Sequence, residues 1–413
     1  MSNFKLLIAQ IATILIVARL MGWLFRKIHQ PRVIGEMVAG ILLGPSLLGW
    51  VAPSVSVALF PPENLGSLNS LSQIGLLLFM FLIGLELDLK QLREMGRAAV
   101  VTSQVSIIAP FLLGFLLALY LYPRVSDPSV NFIGFALFMS VAMSITAFPV
   151  LARILTERDL LRTRVGALAI TCAAVNDVTA WLILAGVIVI VRSSSLPLPL
   201  WITLAGLGAF VLAILMIVKP ALQRLTALYE KRGGLTHDGL ALILLLMLTS
   251  GWITESLGVH ALFGAFLAGV VMPRHQGLST ELWQKLEALT VTLLLPLYFA
   301  FTGLRSSFLL IVGAKMWFYC AAIIALAVIG KLGAALVAAR ISGMSWRESA
   351  SVGVLMNTRG LVELIILNIG LDLGVLSPAL FSIMALMALV TTFMTSPLLS
   401  WIHPERSVRT AVH

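Results

Sequence analysis

The sequence predicts an all-α polytopic membrane protein, and three observations support this fold class. Of the 413 residues, 60% are apolar and 11% are charged, whereas a soluble domain has about 25% charged residues. The mean hydropathy is +1.03. Apolar runs follow one another along nearly the whole chain, and many reach the roughly 20 residues that a helix needs to cross a bilayer. This composition leaves almost no soluble domain.

Charged residues, prolines and glycines divide the chain into thirteen apolar segments, which we predict to be transmembrane helices. If the N-terminus lies outside, the inner breaks hold 19 lysines and arginines and the outer breaks hold 5. Cytoplasmic loops are enriched in these residues. We therefore predict a cell (inner) membrane protein with its C-terminus in the cytoplasm. The segments are 4–25, 33–51, 66–87, 97–121, 131–155, 163–191, 198–219, 237–255, 258–273, 285–304, 315–340, 347–371 and 377–402.

Two short motifs recur along the chain. GEMVAGIL at 35–42 resembles GAFLAGVV at 264–271, and FLIGLE at 81–86 resembles AFTGLR at 300–305. Seven crossings separate the members of each pair, and an odd number gives them opposite orientations. The first six and the last six segments are therefore predicted to be two inverted repeats, with segment 7 as a linker. This is a common plan of secondary transporters.

Asp177 is the only charged residue between Arg164 and Arg192, near the centre of segment 6. Ionisable side chains inside a membrane are costly and typically mark an ion site or pathway. A carboxylate can bind a hard monovalent cation or a proton, and burial brings the two into competition. We interpret Asp177 as an ion and proton site. The alternative is an acid that hydroxyl groups and Asn176 satisfy for helix packing alone.

Lys331 is the only charged residue between Lys315 and Arg340. A buried lysine can pair with an acid, but its long side chain can also extend to the inner membrane surface. The sequence leaves both interpretations open. We include Lys331 among the residues that supply supporting electrostatics.

Segment 12 is predicted to be a broken helix, because Asn357, Thr358, Arg359 and Gly360 follow one another in it. Free carbonyls at such a break must be satisfied within the protein or face a water-filled cavity. Arg359 and Glu363 are four residues apart. They either neutralise each other along one helix face or contribute functional electrostatics.

Segment 5 is predicted to contain a second break. Thr146 and Ala147 precede Phe148 and Pro149, and a proline in mid-segment frees a carbonyl because it lacks the N–H donor. In the two-repeat scheme segment 5 corresponds to segment 12. Correspondingly interrupted helices are the best sequence indicator of a transport site.

Other classes of site lack their motifs. The six histidines lie in breaks, in the tail or at the start of a segment, without the spacing of a metal cluster. We find no phosphate loop and no dinucleotide fingerprint. The net charge of +10 follows the topology rather than indicating nucleic-acid binding. We expect no cofactor, and the energy for any transport must come from an ion gradient.

Six motifs occur in order along nearly the whole chain: VIGEMVAGILLGPSLLG at 33–49, GLLLFMFLIGLELDL at 75–89, SITAFPVLARIL at 144–155, AAVNDVTAWLILA at 173–185, GAFLAGVVMP at 264–273 and NTRGLVELIILNIGL at 357–371. These motifs resemble the monovalent cation:proton antiporter-2 family, which includes Kef-type potassium systems and plant cation/proton exchangers. The resemblance implies a homodimer in the lipid bilayer, with crossed, broken helices 5 and 12 in each protomer. It does not extend to the cytosolic nucleotide-binding domain of Kef-type relatives.

The resemblance also implies a division of labour along the chain. Asp177 falls on the family's ion-binding aspartate, Asn176 replaces a second aspartate of electrogenic relatives, and Lys331 lies on the helix that supplies their pairing lysine. An Asp–Lys pair is therefore not expected at positions 176 and 331. The implied regions are scaffold and dimerisation helices at 1–96 and 236–304, core helices at 97–191 and 305–402, a linker helix at 192–235 and a short cytoplasmic tail at 403–413.

Together these patterns predict a Na⁺ or K⁺/H⁺ antiporter that works by alternating access, not an enzyme. Deprotonated Asp177 would bind a partly dehydrated cation with oxygens from Thr146, Asn176 and the broken backbones, and protonated Asp177 would return without it. One carboxylate exchanging one cation for one proton predicts electroneutral transport. The alternatives are a cation channel, an ion-sensing membrane protein, and an intramembrane aspartyl protease, which would need two catalytic aspartates.

Overall fold

The computed structural model describes residues 3–28, 30–86, 97–128, 130–158, 160, 163–191, 199–273 and 275–402. Every regular element among these residues is helical, which confirms the predicted all-α class. The predicted tail at 403–413 lies outside the described residues.

The helices follow the apolar segments, because a backbone in a membrane must satisfy its own N–H and C=O groups. Three one-turn π segments each join two α helices into a longer one; they are Ile214–Val218, Thr290–Leu294 and Ile329–Gly333. The α helices are α1 (Asn3–Lys27), α2 (Arg32–Leu43), α3 (Leu48–Val51), α4 (Pro53–Leu59), α5 (Leu65–Glu86), α6 (Arg97–Val125), α7 (Phe132–Ser144), α8 (Phe148–Glu157), α9 (Arg164–Val191), α10 (Leu200–Ala213), α11 (Lys219–Arg232), α12 (His237–Ser256), α13 (Ala261–Val270), α14 (Gln276–Leu289), α15 (Leu295–Arg305), α16 (Gly313–Val328), α17 (Ala334–Ile341), α18 (Trp346–Met356), α19 (Leu361–Asp372) and α20 (Pro378–Ile402).

Eleven stretches of the described residues are long and apolar enough to cross a membrane. The predicted segments 258–273 and 347–371 are not among them. The first contains the 10-residue helix α13, which His260 caps by accepting a hydrogen bond from Leu262 N. The second is divided between α18 and α19. The chain is thus a multi-pass membrane protein, and the count of thirteen crossings stays a prediction.

The first interrupted helix is divided by residues 145–147. Helix α7 ends at Ser144, and α8 begins at Phe148 after a short extended stretch. Pro149 lies in the first turn of α8, where a helix does not use the missing N–H and the fixed φ of proline suits the start. The proline therefore begins a new helix at this position.

The second interrupted helix is divided by residues 357–360. A capping box formed by Ser345 and Glu348 starts α18, and α19 resumes after Gly360. Gly360 has φ 158° and ψ −130°, a conformation that residues with a side chain rarely adopt. A Cβ there would also approach Val150 Cγ2 to 2.9 Å. Glycine at this position thus allows α19 to begin in close contact with α8.

Glycines allow neighbouring helices to approach to main-chain contact, and the contacts recur along the chain. A Cβ at Gly35 of α2 would collide with the carbonyl of Met21 in α1, and a Cβ at Gly264 of α13 would collide with that of Ser250 in α12. Gly264 and Ser250 each follow their counterparts by 229 residues, the offset between the GEMVAGIL and GAFLAGVV motifs.

A second pair of glycine contacts repeats in the same way. Gly84 of α5 and Gly269 of α13 each lie against the main chain of the other helix, and Gly303 of α15 lies against the main chain of Gly40 in α2. In the repeated motifs Gly40 corresponds to Gly269, and Gly84 corresponds to Gly303. The two contacts therefore use equivalent positions with the roles of the motifs exchanged.

The chain divides into two compact units. Both interrupted helices, Asp177 and Lys331 belong to the second unit, so the site described below lies within one unit. The predicted division into scaffold and core helices stays a prediction. The first unit comprises Met1–Leu15, Val57–Asp88 and Ala185–Phe301, and the second comprises Ile16–Ser56, Leu89–Leu184 and Thr302–His413.

The apolar core of the second unit surrounds the interrupted helices. Buried side chains of α8, α9, α17 and α18 form one cluster, which includes Leu151, Ala173, Ala339 and Leu355. Close packing of this kind tolerates little movement of single side chains. The cluster therefore packs around α8 and α18, one half-helix from each interrupted helix.

Candidate functional site

The two helix breaks contact each other directly. Ala147 N donates a hydrogen bond to Thr358 O at 3.0 Å, and Thr146 Oγ1 donates to Met356 O at 2.9 Å. These bonds satisfy main-chain groups that interrupted helices leave without an intrahelical partner. The structure thus brings together the two breaks that the sequence predicts separately.

Asp177 of α9 lies beside this junction and is 2% exposed. The backbone N–H of Phe148, the first residue of α8, points toward its carboxylate. Neither carboxylate oxygen has a partner at ordinary hydrogen-bond geometry among the described residues. A helix N-terminus attracts negative charge, but a buried carboxylate with no hydrogen bond is unfavourable. Asp177 is therefore held in place while its oxygens remain available to a ligand.

Two buried cations cap the C-terminal end of α7. The Arg359 guanidinium donates to Ala142 O at 2.7 Å and to Met143 O at 2.6 Å, and Lys331 Nζ donates to Ser144 O. The last carbonyls of a helix lack intrahelical donors and carry its partial negative charge. Arg359 and Lys331 thus complete the hydrogen bonding at the first break.

Lys331 lies in the interior, within the π turn that joins α16 to α17. Its side chain is fully buried, and Nζ also donates to Ser106 O of α6 at 2.9 Å. The ammonium therefore does not extend to the inner surface, which was one of the two interpretations that the sequence left open. A π turn in a longer helix is often associated with a functional site.

Asn176, next to Asp177, contacts Lys331 through its side-chain amide. One heavy atom of the amide lies 3.2 Å from Lys331 Nζ and 3.0 Å from Ser106 Oγ. Because an ammonium group can only donate, this atom is assigned as the amide oxygen. The amide nitrogen then donates to Ser103 Oγ at 3.1 Å and to Cys172 O at 3.2 Å.

Arg359 and Glu363 form a fully buried ion pair, with 3.2 Å between Nη1 and Oε2. Glu363 Oε1 and Arg359 Nε have no hydrogen-bond partner among the described residues. The main chain of Arg359 is bonded to Thr392 of α20, whose hydroxyl accepts from Arg359 N at 3.2 Å and donates to Arg359 O at 2.7 Å. Arg359 is thus fixed on both its main chain and its side chain.

The remaining predicted positions line the second break. The Thr358 hydroxyl lies 3.3 Å from that of Thr395, and Asn357 Nδ2 lies 3.6 Å from Met394 Sδ. Both contacts connect the break to α20. Neither Asn357 nor Thr358 is bonded to Asp177 among the described residues. The contacts of these two residues instead attach the second break to α20.

Ser103 and Ser106 of α6 are site residues that the sequence interpretation did not identify. Both are fully buried and contact the Asn176 amide. Their signal is the polar run VTSQVS at 101–106 within an otherwise apolar segment. Two serines three residues apart lie on the same face of a helix, so this run indicates a polar contact without naming the partner.

The donor set suits a hard monovalent cation or a proton. It offers one carboxylate without a hydrogen-bond partner, nearby hydroxyl groups and the main-chain carbonyls of interrupted helices, all of them oxygen donors. Among the described residues, no group of three or more His, Cys, Asp or Glu could hold a metal ion. Oxygen donors of this kind are those that weak, exchangeable binding of a monovalent cation would use.

Residues 14–402 match the family described as "Sodium/hydrogen exchanger, transmembrane". The chain is 42% identical over 404 residues to the Na(+)/H(+) antiporter NhaS4 of Synechocystis sp., with 98% of each chain covered. It is 41% identical over 408 residues to Cation/H(+) antiporter 17 of Arabidopsis thaliana and 33% identical over 413 residues to K(+)/H(+) antiporter 1 of Saccharomyces cerevisiae. Both alignments include 98% of this chain, but the chain spans only 49% and 47% of these two longer relatives.

The fold is that of a solved antiporter. The sodium proton antiporter MjNhaP1 from Methanocaldococcus jannaschii superimposes with a TM-score of 0.68 over 97% of this chain and 100% of that chain, at 14% identity. At this identity the likeness concerns the fold alone. The sequence matches confirm the predicted relationship independently of the fold. The chain therefore belongs to the sodium/hydrogen exchanger family.

Proposed function

We propose that this chain exchanges a monovalent cation, Na⁺ or K⁺, for protons across the membrane by alternating access. The observation that carries the proposal is the Asp177 carboxylate, which is buried beside two helix breaks with both oxygens unpartnered among the described residues. A fixed structural acid would be hydrogen-bonded or paired. Asp177 instead offers its oxygens to an ion that arrives and leaves.

In the proposed cycle the cation and the proton compete for Asp177. Deprotonated Asp177 binds a partly dehydrated cation, and protonated Asp177 returns without it. The Thr146 hydroxyl gives its proton to Met356 O, so its lone pairs remain available as a second ligand. Free main-chain carbonyls of the breaks supply further oxygens. The Asn176 oxygen is already shared by Lys331 and Ser106, and we do not retain it as a ligand.

The surrounding charges favour an electroneutral cycle. Lys331, Arg359 and Glu363 are buried with hydrogen bonds to other protein groups, and we propose that their charges stay constant. The site then has the same net charge with a protonated Asp177 as with an ionised Asp177 and a bound monovalent cation. One proton would cross for each cation.

We propose that the chain crosses the membrane thirteen times as two inverted repeats. The shorter helix α13 and the α18–α19 pair would supply the two crossings beyond the eleven long stretches. The recurrence of the glycine contacts at equivalent positions supports the repeats, because chance similarity of small residues would not reproduce the contacts. The N-terminus would then lie outside and the C-terminus in the cytoplasm.

Family membership supports two further parts of the proposal. We propose a homodimer that contacts through helices at 1–96 and 236–304, with mobile core helices at 97–191 and 305–402. The relatives carry Na(+), K(+) or cation in their names. We therefore propose a monovalent cation substrate without assigning one of the two.

The test is cation-dependent proton movement in proteoliposomes of the purified protein. A pH-sensitive dye should report dequenching when Li⁺, Na⁺, K⁺ or Rb⁺ is added to acid-loaded vesicles, and the series would rank the cations. Asp177→Asn should abolish the signal. The matched control is Asp238→Asn, the same change at an exposed aspartate in the first turn of α12, which should retain it.

Two outcomes would contradict the proposal. Exchange at ordinary rates in Asp177→Asn would remove Asp177 from the site. Cation flux down its own gradient without proton movement would indicate a channel, which is the alternative that the sequence leaves open.

A further inference from the structure

The Asn176 side chain is saturated by protein groups. Its oxygen accepts from Ser106 Oγ and Lys331 Nζ, and its nitrogen donates to Ser103 Oγ and Cys172 O. An amide has two acceptor lone pairs and two N–H donors. All four are used, so a cation could bind the Asn176 oxygen only by displacing Lys331 or Ser106.

The Lys331 ammonium is saturated as well. Its three N–H donors have three acceptors, which are the main-chain carbonyls of Ser106 and Ser144 and the amide oxygen of Asn176. All three acceptors are neutral. Asn176 therefore completes the hydrogen bonding of a buried cation whose other two partners lie on α6 and at the end of α7.

We propose that Ser103 and Ser106 position the Asn176 amide so that its oxygen holds Lys331, and that Asn176 acts through Lys331 and not as a ligand of the transported cation. This inference rests on the proposed antiport function. It assigns Ser103, Ser106 and Asn176 as positioning residues.

The geometry explains why the two serines are needed. The amide group is nearly symmetric in shape, and either of its ends could face Lys331. Ser103 accepts from the nitrogen, while Ser106 donates to the oxygen, which fixes the orientation. Ser103 O, 2.8 Å from Ser106 Oγ in the same helix, competes for the single Ser106 hydroxyl proton, so Ser106 does not donate to Ser103 O while it donates to the amide oxygen. The two serines lie on one face of α6.

The network has a direct route to the ion site. Asn176 precedes Asp177 in α9, and Lys331 caps the carbonyl of Ser144 at the start of the first break. Loss of the amide orientation would release one of the three ammonium contacts and loosen the end of α7. The Asp177 oxygens and Thr146 would remain. Loss of the network is therefore expected to lower the turnover rate while leaving cation binding at Asp177 unchanged.

The first experiment measures cation binding without turnover. The melting temperature of the detergent-purified protein is recorded against NaCl or KCl, with choline chloride keeping ionic strength constant, because a ligand that binds the folded state raises it. In Asn176→Ala and in Ser103→Ala/Ser106→Ala, half-saturation should stay within about twofold of the parent value, with the same order of cations. In Asp177→Asn the cation effect should be absent.

The second experiment is a double-mutant cycle between Ser106 and Lys331. Ser106→Ala should lower the maximal exchange rate roughly three- to tenfold in the parent, as expected for one buried hydrogen bond. In a Lys331→Ala background the same change should matter by less than about twofold, because no ammonium remains to be positioned. Melting temperatures supply the same cycle if Lys331→Ala does not transport. Ser140→Ala is the control, since Ser140 is buried and its hydroxyl donates within its own helix to Ala136 O.

Two results would overturn the inference. One is a change in the order of cations, or a loss of apparent cation affinity beyond about tenfold, in both Asn176→Ala and the double serine variant. The other is an equal effect of Ser106→Ala with and without Lys331. Failure of the proposed function would look different. In that case cations would not raise the melting temperature of the parent protein, or would raise it equally in Asp177→Asn.

Discussion

Two buried carboxylates lie near the N-terminal ends of α8 and α19, the helices that follow the two breaks. The two carboxylates have different partners. Glu363 is in the first turn of α19 and forms an ion pair with Arg359. Asp177 comes from α9, approaches the start of α8 and has no hydrogen-bond partner among the described residues. Both are almost completely excluded from solvent. Burial is thus common to the two acids, and the counter-charge distinguishes them.

This difference supports the proposal that Asp177, and not Glu363, exchanges ions. A carboxylate paired with a guanidinium is already neutralised and would have to break that pair to accept a cation. Asp177 has no contacting ion-pair partner among the described residues, and the buried Lys331 charge acts on it only from farther away, so a proton or a bound cation can neutralise it directly. Similar burial can therefore support a structural role at Glu363 and a transport role at Asp177.

The largest expected effect separates the two acids in opposite ways. Asp177→Asn should abolish exchange while changing the free energy of unfolding by no more than about 1 kcal/mol, because no protein hydrogen bond to its carboxylate is lost. Glu363→Gln should destabilise the protein by on the order of 3 kcal/mol, because it leaves the buried Arg359 charge uncompensated. Exchange in proteoliposomes and unfolding in detergent would be measured for both. The comparison would be wrong if Glu363→Gln were as stable as the parent protein.

The next largest effect concerns the ion pair itself. Arg359→Ala strands the Glu363 carboxylate and removes the cap from Ala142 O and Met143 O. The double change Arg359→Ala/Glu363→Ala should therefore be about 1–3 kcal/mol more stable than Arg359→Ala alone. Thermal unfolding of the single and double variants is the measurement.

The control for that cycle is the Glu281–Lys285 pair of α14, which has the same spacing of four residues but is only partly buried. Its coupling should be much weaker than that of Arg359 and Glu363, because water screens a pair near the surface. Additive losses at Arg359 and Glu363 would mean that the two charges have separate partners.

An effect of similar size on stability is expected at Lys331. Lys331→Ala leaves the carbonyls of Ser106 and Ser144 without their donor, so it should cost about 1–3 kcal/mol of stability and slow exchange. Lys331→Arg keeps a cationic donor and should recover part of the loss. An unchanged melting temperature together with an unchanged exchange rate would mean that the first break does not need this cation.

The smallest expected effect is that of membrane voltage. If only Asp177 exchanges ions, a one-to-one cycle moves no net charge, although a displaced charge would gain about 2.3 kcal/mol per 100 mV. Proteoliposomes clamped with valinomycin and potassium, with Na⁺ as the test ion, should show the same rate and final Na⁺ gradient at every imposed potential. A gradient that follows the potential would mean that a second group, such as Lys331, also exchanges protons.

Asn176→Asp sharpens the voltage experiment. The substitution places a second acid 3.2 Å from Lys331 Nζ, at the position of the amide oxygen. We expect an ion pair to form there, because the carboxylate occupies nearly the same volume as the amide. Transport that becomes voltage-sensitive in this variant would link the electroneutral behaviour of the parent to Asn176.

The sequence predicted much of this site, because its strongest signals are residues that are energetically unfavourable in a membrane helix. One charge in a long apolar run, a proline in mid-segment and an Asn-Thr-Arg-Gly run each violate the rule that a membrane helix is apolar and continuous. Asp177 and both breaks follow from these violations. The repeated motifs predicted two related halves of the chain, and close glycine contacts occur at the repeated positions.

The partners of the charged groups were not predictable in the same way. Pairing of Arg359 with Glu363 was one of two interpretations that the sequence left open, and no pattern indicated that Arg359 also caps Ala142 O and Met143 O. Main-chain carbonyls are present at every residue, so no residue type marks the ones that will accept from a distant side chain. Ser103 and Ser106 were missed for a related reason, since serines in membrane helices often bond within their own helix.

The sequence by itself determined the class of the protein, the family, the isolated acid and the places where two helices must break, because each depends on local composition. Tertiary structure alone decided the direction of Lys331, the orientation of the Asn176 amide and which buried acid has no contacting counter-ion among the described residues. Those features depend on groups from α6, α7, α9 and the π turn at 329–333 lying within about 3 Å of one another, the range of a hydrogen bond. Distances of that kind are set by packing between helices far apart in the chain, which residue spacing does not encode.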